Sequence, residues 1–124
     1  MPWEISSERS VYLQLVDIIK QKIMSGEYQP GQRMASVREL AADAAVNPNT
    51  MQRALAELER QGLLYTQRTS GRFVSEDGGL IDGLRLSGAE QKANEFYLEM
   101  IQMGLSAEEV RRLVNQAIAK AEKE

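Results

Sequence analysis

Residues 47–74 read NPNTMQRALAELERQGLLYTQRTSGRFV. This stretch decides the fold, because it joins a capped helix with a polar outer face to a basic hairpin. Asn47 is a good N-cap, since its side-chain oxygen can accept from a free backbone N–H. Pro48 suits the first helical position, where no N–H is needed. Met51, Ala54, Leu55 and Leu58 recur at helical spacing as one apolar stripe, which leaves Asn49, Thr50, Gln52, Arg53 and Glu57 on the other faces. Gly62 reads as the helix stop, and residues 63–67 and 72–75 alternate like short strands around the turn Arg68, Thr69, Ser70, Gly71. Asn, Thr, Gln and Arg carry donors and acceptors that match base edges and phosphate oxygens, and a helix fits the major groove. Surface polarity alone does not make a DNA reader, so the flanking segments decide.

Upstream, residues 36–43 (SVRELAAD) read as a short helix. Ser36 is its N-cap, Glu39 completes a capping box, and Val37, Leu40, Ala41 and Ala44 face inward. Ala45 and Val46 form the turn to the next helix. Two helices joined so tightly make a helix-turn-helix, whose first helix crosses the DNA backbone and whose second enters the groove; Arg38 is then placed for a phosphate. Residues 11–25 are a further amphipathic helix with Tyr12, Leu15, Val16, Ile19 and Ile23 on one face, ended by Gly26 and the loop Tyr28, Gln29, Pro30, Gly31. Three helices and a wing make a winged helix. The expected fold is mainly α with a small β-wing: a winged helix-turn-helix over residues 1–75, a linker over 76–86 and a helical dimerisation region over 87–124.

The segment from Val11 to Val74 resembles the DNA-binding domain of the GntR family of bacterial transcription regulators. The pieces that carry the resemblance are the YxQ opening, the SGxxxPGxR loop (Ser25, Gly26, Pro30, Gly31, Arg33), the SVRELA helix, the VNPNT turn and the QGLLY entry to the wing. The NPNT form and the short C-terminal region are most similar to the small YtrA subgroup. The resemblance implies DNA contacts from Ser36, Arg38, Pro48, Asn49, Thr50 and Arg53 and from the wing tip; Gln52 joins them on its exposed position in the helix. The chain departs from the family at three places. Ala35 stands where proline is usual. Ala45 stands where a turn glycine is common; a left-handed alanine costs on the order of 1 kcal/mol, so a different turn geometry is open to it. Thr69 and Ser70 replace the usual Gly-Lys of the wing, although Arg68, Gly71 and Arg72 remain suitable for a nucleic acid.

The chain has 124 residues, enough for one modest core and an appendage but not for a large sensor domain. It contains no cysteine and no histidine, which removes disulfides, thiolate metal sites and the commonest general base. No cofactor or metal is expected. Nothing reads as a signal peptide or a long apolar run, so a cytoplasmic location away from the membrane is expected. The net charge of −3 divides unevenly: residues 1–75 hold nine Lys/Arg against eight Asp/Glu, and residues 76–124 hold six against ten. The acid lies away from the reading head. With so small an excess of positive charge, tight binding calls for two heads on one duplex and weakens with salt.

After Ser75 the residues Asp77, Gly78, Gly79, Asp82 and Gly83 suggest a hinge. Ser87 with Glu90 then predicts a capping box for a helix through Met103, with Ala93, Phe96, Tyr97, Met100 and Ile101 as apolar positions and Gly104 as its end. Ser106 with Glu109 predicts another, for a helix striped by Val110, Leu113, Val114, Ala117, Ile118 and Ala121. Two helices cannot close a core alone, so these stripes pack on the winged helix, on another protein or on a second copy. The hinge favours separation, and a second copy would make a two-fold four-helix arrangement through Phe96, Tyr97, Met100, Val110, Leu113, Val114, Ala117 and Ile118.

The expected function is a sequence-specific regulator, a homodimer on a palindromic operator in double-stranded DNA, acting as a repressor by occupancy. The resemblance places such proteins beside membrane-transporter genes. The alternative from another class is a protein-interaction adaptor on a winged-helix scaffold. A hydrolytic enzyme fails for want of a nucleophile paired with a base; Glu57/Glu59 and Glu108/Glu109 are accounted for by capping and solvated helix faces. Trp3 and Ile5 are expected to cover a core edge or a dimer contact. About forty residues in two helices leave little volume for a small-molecule effector, whose identity is not written in the sequence.

Overall fold

The computed structural model describes residues 3–124. Its elements follow the chain as α1 (Val11–Met24), α2 (Val37–Ala44), α3 (Pro48–Arg60), β1 (Leu64–Gln67), β2 (Gly71–Val74), α4 (Gly78–Gln102) and α5 (Ala107–Glu122). Each of the first three helices opens on a side chain that takes up a free amide. Ser10 accepts from Leu13, and Asn47 accepts from Asn49 at 2.7 Å ahead of Pro48. The capping box expected on α2 is present, with Glu39 N–H on Ser36 Oγ and Ser36 N–H on the Glu39 carboxylate. The stripes read from the sequence are the core: Leu15, Val16, Ile19 and Ile23 from α1, Leu40, Ala41 and Ala44 from α2, and Met51, Ala54, Leu55 and Leu58 from α3 are buried together. Trp3 and Ile5 pack at its edge.

The turn from α2 to α3 keeps its left-handed geometry without glycine. Ala45 sits at φ 58°, ψ 48°, and its N–H and that of Val46 close on the carbonyls of Ala42 and Ala41. The different turn left open by the alanine is therefore not adopted; the cost in backbone strain is carried by the helix end it closes.

The wing is a two-stranded antiparallel ribbon pairing Leu64 with Val74 and Gln67 with Gly71. It gains a partner the sequence did not suggest. The loop after Pro30 runs along the far side of β2, with an isolated bridge between Arg33 and Phe73, Met34 N–H on Arg72 O and Val74 N–H on Gln32 O. Tyr65 and Phe73 stack across the ribbon with ring centroids 5.7 Å apart.

The expected hinge is helical. Asp77 accepts from Leu80 N–H and takes Ile81 N–H on its carbonyl, which starts α4 at Gly78, nine residues before Ser87. Leu80, Ile81 and Leu84 fall on one face and pack on the winged-helix core, Ile81 fully inside it. This packing offsets the helix-breaking tendency of Gly78, Gly79 and Gly83, whose turn-like composition had hidden the stripe. Ser87 is an interior residue of α4 and caps nothing.

The chain divides into two compact units, residues 1–84 and 85–124. In the second, α4 ends at Gln102, Gly104 takes φ 94°, and α5 opens on the expected Ser106–Glu109 capping box. Among the described residues no helix is long and apolar enough to cross a membrane.

Candidate nucleic-acid interface

The first unit sets its polar residues on the outside of the helix-turn-helix for a simple reason. The apolar positions of α3 are consumed by the core, so Pro48, Asn49, Gln52 and Arg53 stand exposed over its first two turns and Thr50 is half-buried. Arg38 is exposed on the first turn of α2, next to Ser36, whose hydroxyl is engaged in the capping box. The residues proposed for base and phosphate contacts on the two helices are thus available at the surface.

The wing behaves differently. Arg68 lies exposed in the turn and Gly71 takes φ 106°, a left-handed value that suits glycine. Arg72, grouped with them from the sequence, is committed inside the protein. Its Nε donates to Glu59 of α3 at 2.6 Å, and only 17% of its side chain is exposed. Thr66 of β1 donates to the same carboxylate oxygen. Burial raises the Glu59 pKa, but the hydrogen bonds from Thr66 and Arg72 and the Arg72 charge outweigh it and hold the carboxyl below its ordinary range. Glu59 therefore ties both strands of the wing to α3, and Arg72 is one arm of that tie.

Ion pairing sorts the cations of this unit. Arg9, Lys22, Arg60 and Arg72 are bound to Asp17, Glu27, Glu57 and Glu59. Lys20, Arg33, Arg38, Arg53 and Arg68 stand in no ion pair among the described residues. The Glu57 carboxyl is lowered to about 2 by hydrogen bonds from Arg60 and Gln61, so it remains anionic beside its partner. Four acids of residues 1–75, Glu4, Glu8, Glu39 and Asp43, likewise stand in no ion pair among the described residues, so the weak positive balance persists and what distinguishes Arg38, Arg53 and Arg68 is their exposed place on the helix-turn-helix and wing.

Sequence reasoning missed three residues here. Arg33 is exposed, its backbone is fixed by the bridge to Phe73, and its guanidinium lies across Gly71, where a Cβ would come 3.4 Å from Nε. Its place at the end of the Pro-Gly loop was the available signal. Glu59 read as a solvated helix acid, and nothing local marks its partners. Tyr12 was assigned only to the core face of α1, yet its ring also carries the Arg53 guanidinium, 4.0 Å from the centroid. A cleft of about 810 Å³ between the α2 start and the wing is lined by Arg33, Ser36, Glu39, Asp43, Thr66 and Arg72. Its acids and bases balance, which suits no strongly charged small ligand.

The second unit has no comparable core. Val110 is its one buried side chain among the described residues, while Phe96, Tyr97, Leu113 and Ile118 are exposed. Those four, with Met100 and Val114, line an open apolar groove of about 880 Å³ along the α4–α5 hairpin. Every residue expected in the dimer contact lies along it.

Residues 11–74 match the model of "Bacterial regulatory proteins, gntR family". The chain is similar to the "Uncharacterized HTH-type transcriptional regulator YhcF" of Bacillus subtilis, 36% identical over 86% of this chain and 88% of that one. It is also similar to the "HTH-type transcriptional repressor YtrA" of the same organism, 29% identical over 91% and 88%. Among solved structures, a GntR family transcriptional regulator from Listeria monocytogenes superposes with a TM-score of 0.83 at 37% identity, covering 90% of this chain and 98% of that one. The DNA-binding domain of AraR in complex with operator ORE1 superposes with a TM-score of 0.52 at 31% identity, over 58% and 90%.

Proposed function

The chain belongs to the gntR family of bacterial regulatory proteins, transcription regulators and not enzymes, and we propose that it is a dimeric, cytoplasmic repressor acting on a palindromic operator. The observation that carries this reading is the exposed polar face of the helix-turn-helix. Arg38 and Arg53 lie exposed and free of ion pairs on the two helices of the helix-turn-helix, beside Asn49 and Gln52. α3 supplies base contacts from Pro48, Asn49, Thr50, Gln52 and Arg53, Ser36 and Arg38 bind phosphate, and the wing tip adds Arg68 and Gly71. Arg72 serves this site by holding the wing. The AraR domain, seen on its operator, supports DNA as the partner.

The dimer is supported by the groove of the α4–α5 hairpin. A unit of forty residues with one buried side chain has too little core to stand alone. A second copy is the favoured occupant, because it brings an identical open apolar face along α4 and α5, whose lining is apolar apart from Lys92. Two-fold pairing then lets each apolar face cover the other. Two linked heads convert modest half-site affinity into tight operator binding, and the bound dimer occludes a promoter. Transporter genes, which the sequence resemblance to the YtrA subgroup implied, are its proposed targets.

The test is selection of a duplex from a random pool, followed by titration of selected and scrambled duplex at several salt concentrations. Specific binding is expected to exceed non-specific binding by about a thousandfold or more. Arg53→Ala should lose about 1 to 3 kcal/mol and relax preference at one base, whereas Arg38→Ala should weaken both duplexes alike and reduce the salt slope by about one. Equal affinity of the parent chain for both duplexes would sink the reading and favour the adaptor.

A further inference from the structure

We infer that Tyr12 is a positioning residue for the recognition helix, holding the Arg53 guanidinium in the orientation it uses on DNA. The inference rests on the proposed base-reading role of α3. Arg53 is exposed and has no ion pair, yet it is not left to swing: its Cζ stands 4.0 Å from the centre of the Tyr12 ring. A guanidinium held this way is attracted by the negative face of the ring. Guanidinium N–H donors lie along the edge of its plane, so a group that meets the ring by its face keeps that edge for the bidentate contact with a guanine or a phosphate.

The platform itself is built to stay put. Tyr12 occupies the first turn of α1, half-buried against the core. Ser10 caps that turn. Two residues on, the buried Gln14 amide exchanges two hydrogen bonds with the Ser6 backbone, both 2.7 Å, and donates a third to Arg9 O at 2.9 Å. The Tyr-Leu-Gln opening thus has a division of labour: Gln14 fixes the approach to the helix, and Tyr12 presents a ring whose place is then set. Packing between α1 and α3 does not need the stack, because Leu15, Ile19, Met51 and Leu55 already meet inside the core. A long, rotamer-rich side chain ordered before binding loses less freedom on the DNA, and the saving falls on the specific complex, where the geometry is demanded.

A double-mutant cycle on the full-length protein tests this with the selected duplex. Tyr12→Leu, which keeps apolar volume, should weaken binding about three- to tenfold. It should leave scrambled duplex and the thermal midpoint nearly unchanged, and Tyr12→Phe should restore most of the loss. In an Arg53→Ala background Tyr12→Leu should cost nothing more. An equal cost in both backgrounds, or a Tyr12→Phe as weak as Tyr12→Leu, overturns the inference, because the ring or its hydroxyl would then act without the arginine. Arg53→Ala binding selected duplex as the parent does would overturn the underlying reading of α3 instead.

Discussion

Residues 1–84 and 85–124 are built from the same local devices and end in opposite conditions. Both use serine-glutamate capping boxes, Ser36 with Glu39 and Ser106 with Glu109, and both use helices with one apolar stripe. In the first unit three helices, the wing and the start of α4 enclose sixteen buried side chains in one cluster. In the second, two helices bury Val110 alone. Caps and periodicity determine that a helix exists and which face is apolar, but a core needs a further layer to close it. Where the chain supplies that layer, stability is its own; where it does not, the proposed dimer supplies it, and stability then depends on concentration.

The sharpest way to break this contrast is a pair of leucines. Leu55, fully buried, should cost about 2 to 5 kcal/mol when changed to alanine, read as a lower midpoint in denaturant unfolding. Leu113→Asp on the open groove should leave that transition of the first unit in place and turn a sedimenting dimer into a monomer. Operator affinity should then fall by roughly a hundredfold as avidity is lost. A Leu113→Asp chain that stays dimeric would show that the groove is not the contact. A truncation with the same purpose must keep α4 through Leu84, since ending at Ser75 strips Ile81 from the core.

Smaller changes sharpen the contrast. Ser36→Ala should lower the stability of the first unit by about 1 kcal/mol, whereas Ser106→Ala, the same change in the same motif, should appear mainly in the dimer dissociation constant. If both act only on unfolding, the second unit is self-sufficient. Ala45→Gly should stabilise the first unit by about 1 kcal/mol, because glycine adopts the observed left-handed conformation without the methyl clash; a loss in thermal midpoint would argue that the turn is unstrained. The smallest effect is acid dependence. Glu57 has its pKa lowered from 4.5 to about 2, so its contribution is complete above about pH 4.5 and lost as pH falls through about 2. Unfolding curves of parent and Glu57→Gln should separate above that window and converge below it.

What could be read from the sequence was local. Asn47 before Pro48, Ser36 with Glu39 and the stripe from Met51 to Leu58 are signals within one or two turns, and they lie where expected. The unread features are pairings across distance. The strand-like partner of β2 comes from a loop some forty residues upstream, Arg72 is claimed by Glu59 on another element, and Tyr12 meets Arg53 across two helices. α4 was hidden for a different reason: three glycines outweighed Leu80, Ile81 and Leu84 in a reading that could not see the surface they cover. The site divides likewise, with the helical residues exposed as expected and Arg72 redirected by a contact that spacing does not encode.

The strand β2 has neighbours on both sides, β1 and the loop through Gln32 and Met34. The wing therefore keeps two clocks on one ribbon. At its base, the Val74 and Met34 amides are held by a three-stranded arrangement and should exchange with deuterated water only when the whole unit opens. At its tip, Arg68, Thr69 and Ser70 lie beyond the third strand and should exchange as fast as the turn fluctuates. Movement of the wing is confined to those few residues, while its root moves only with α3.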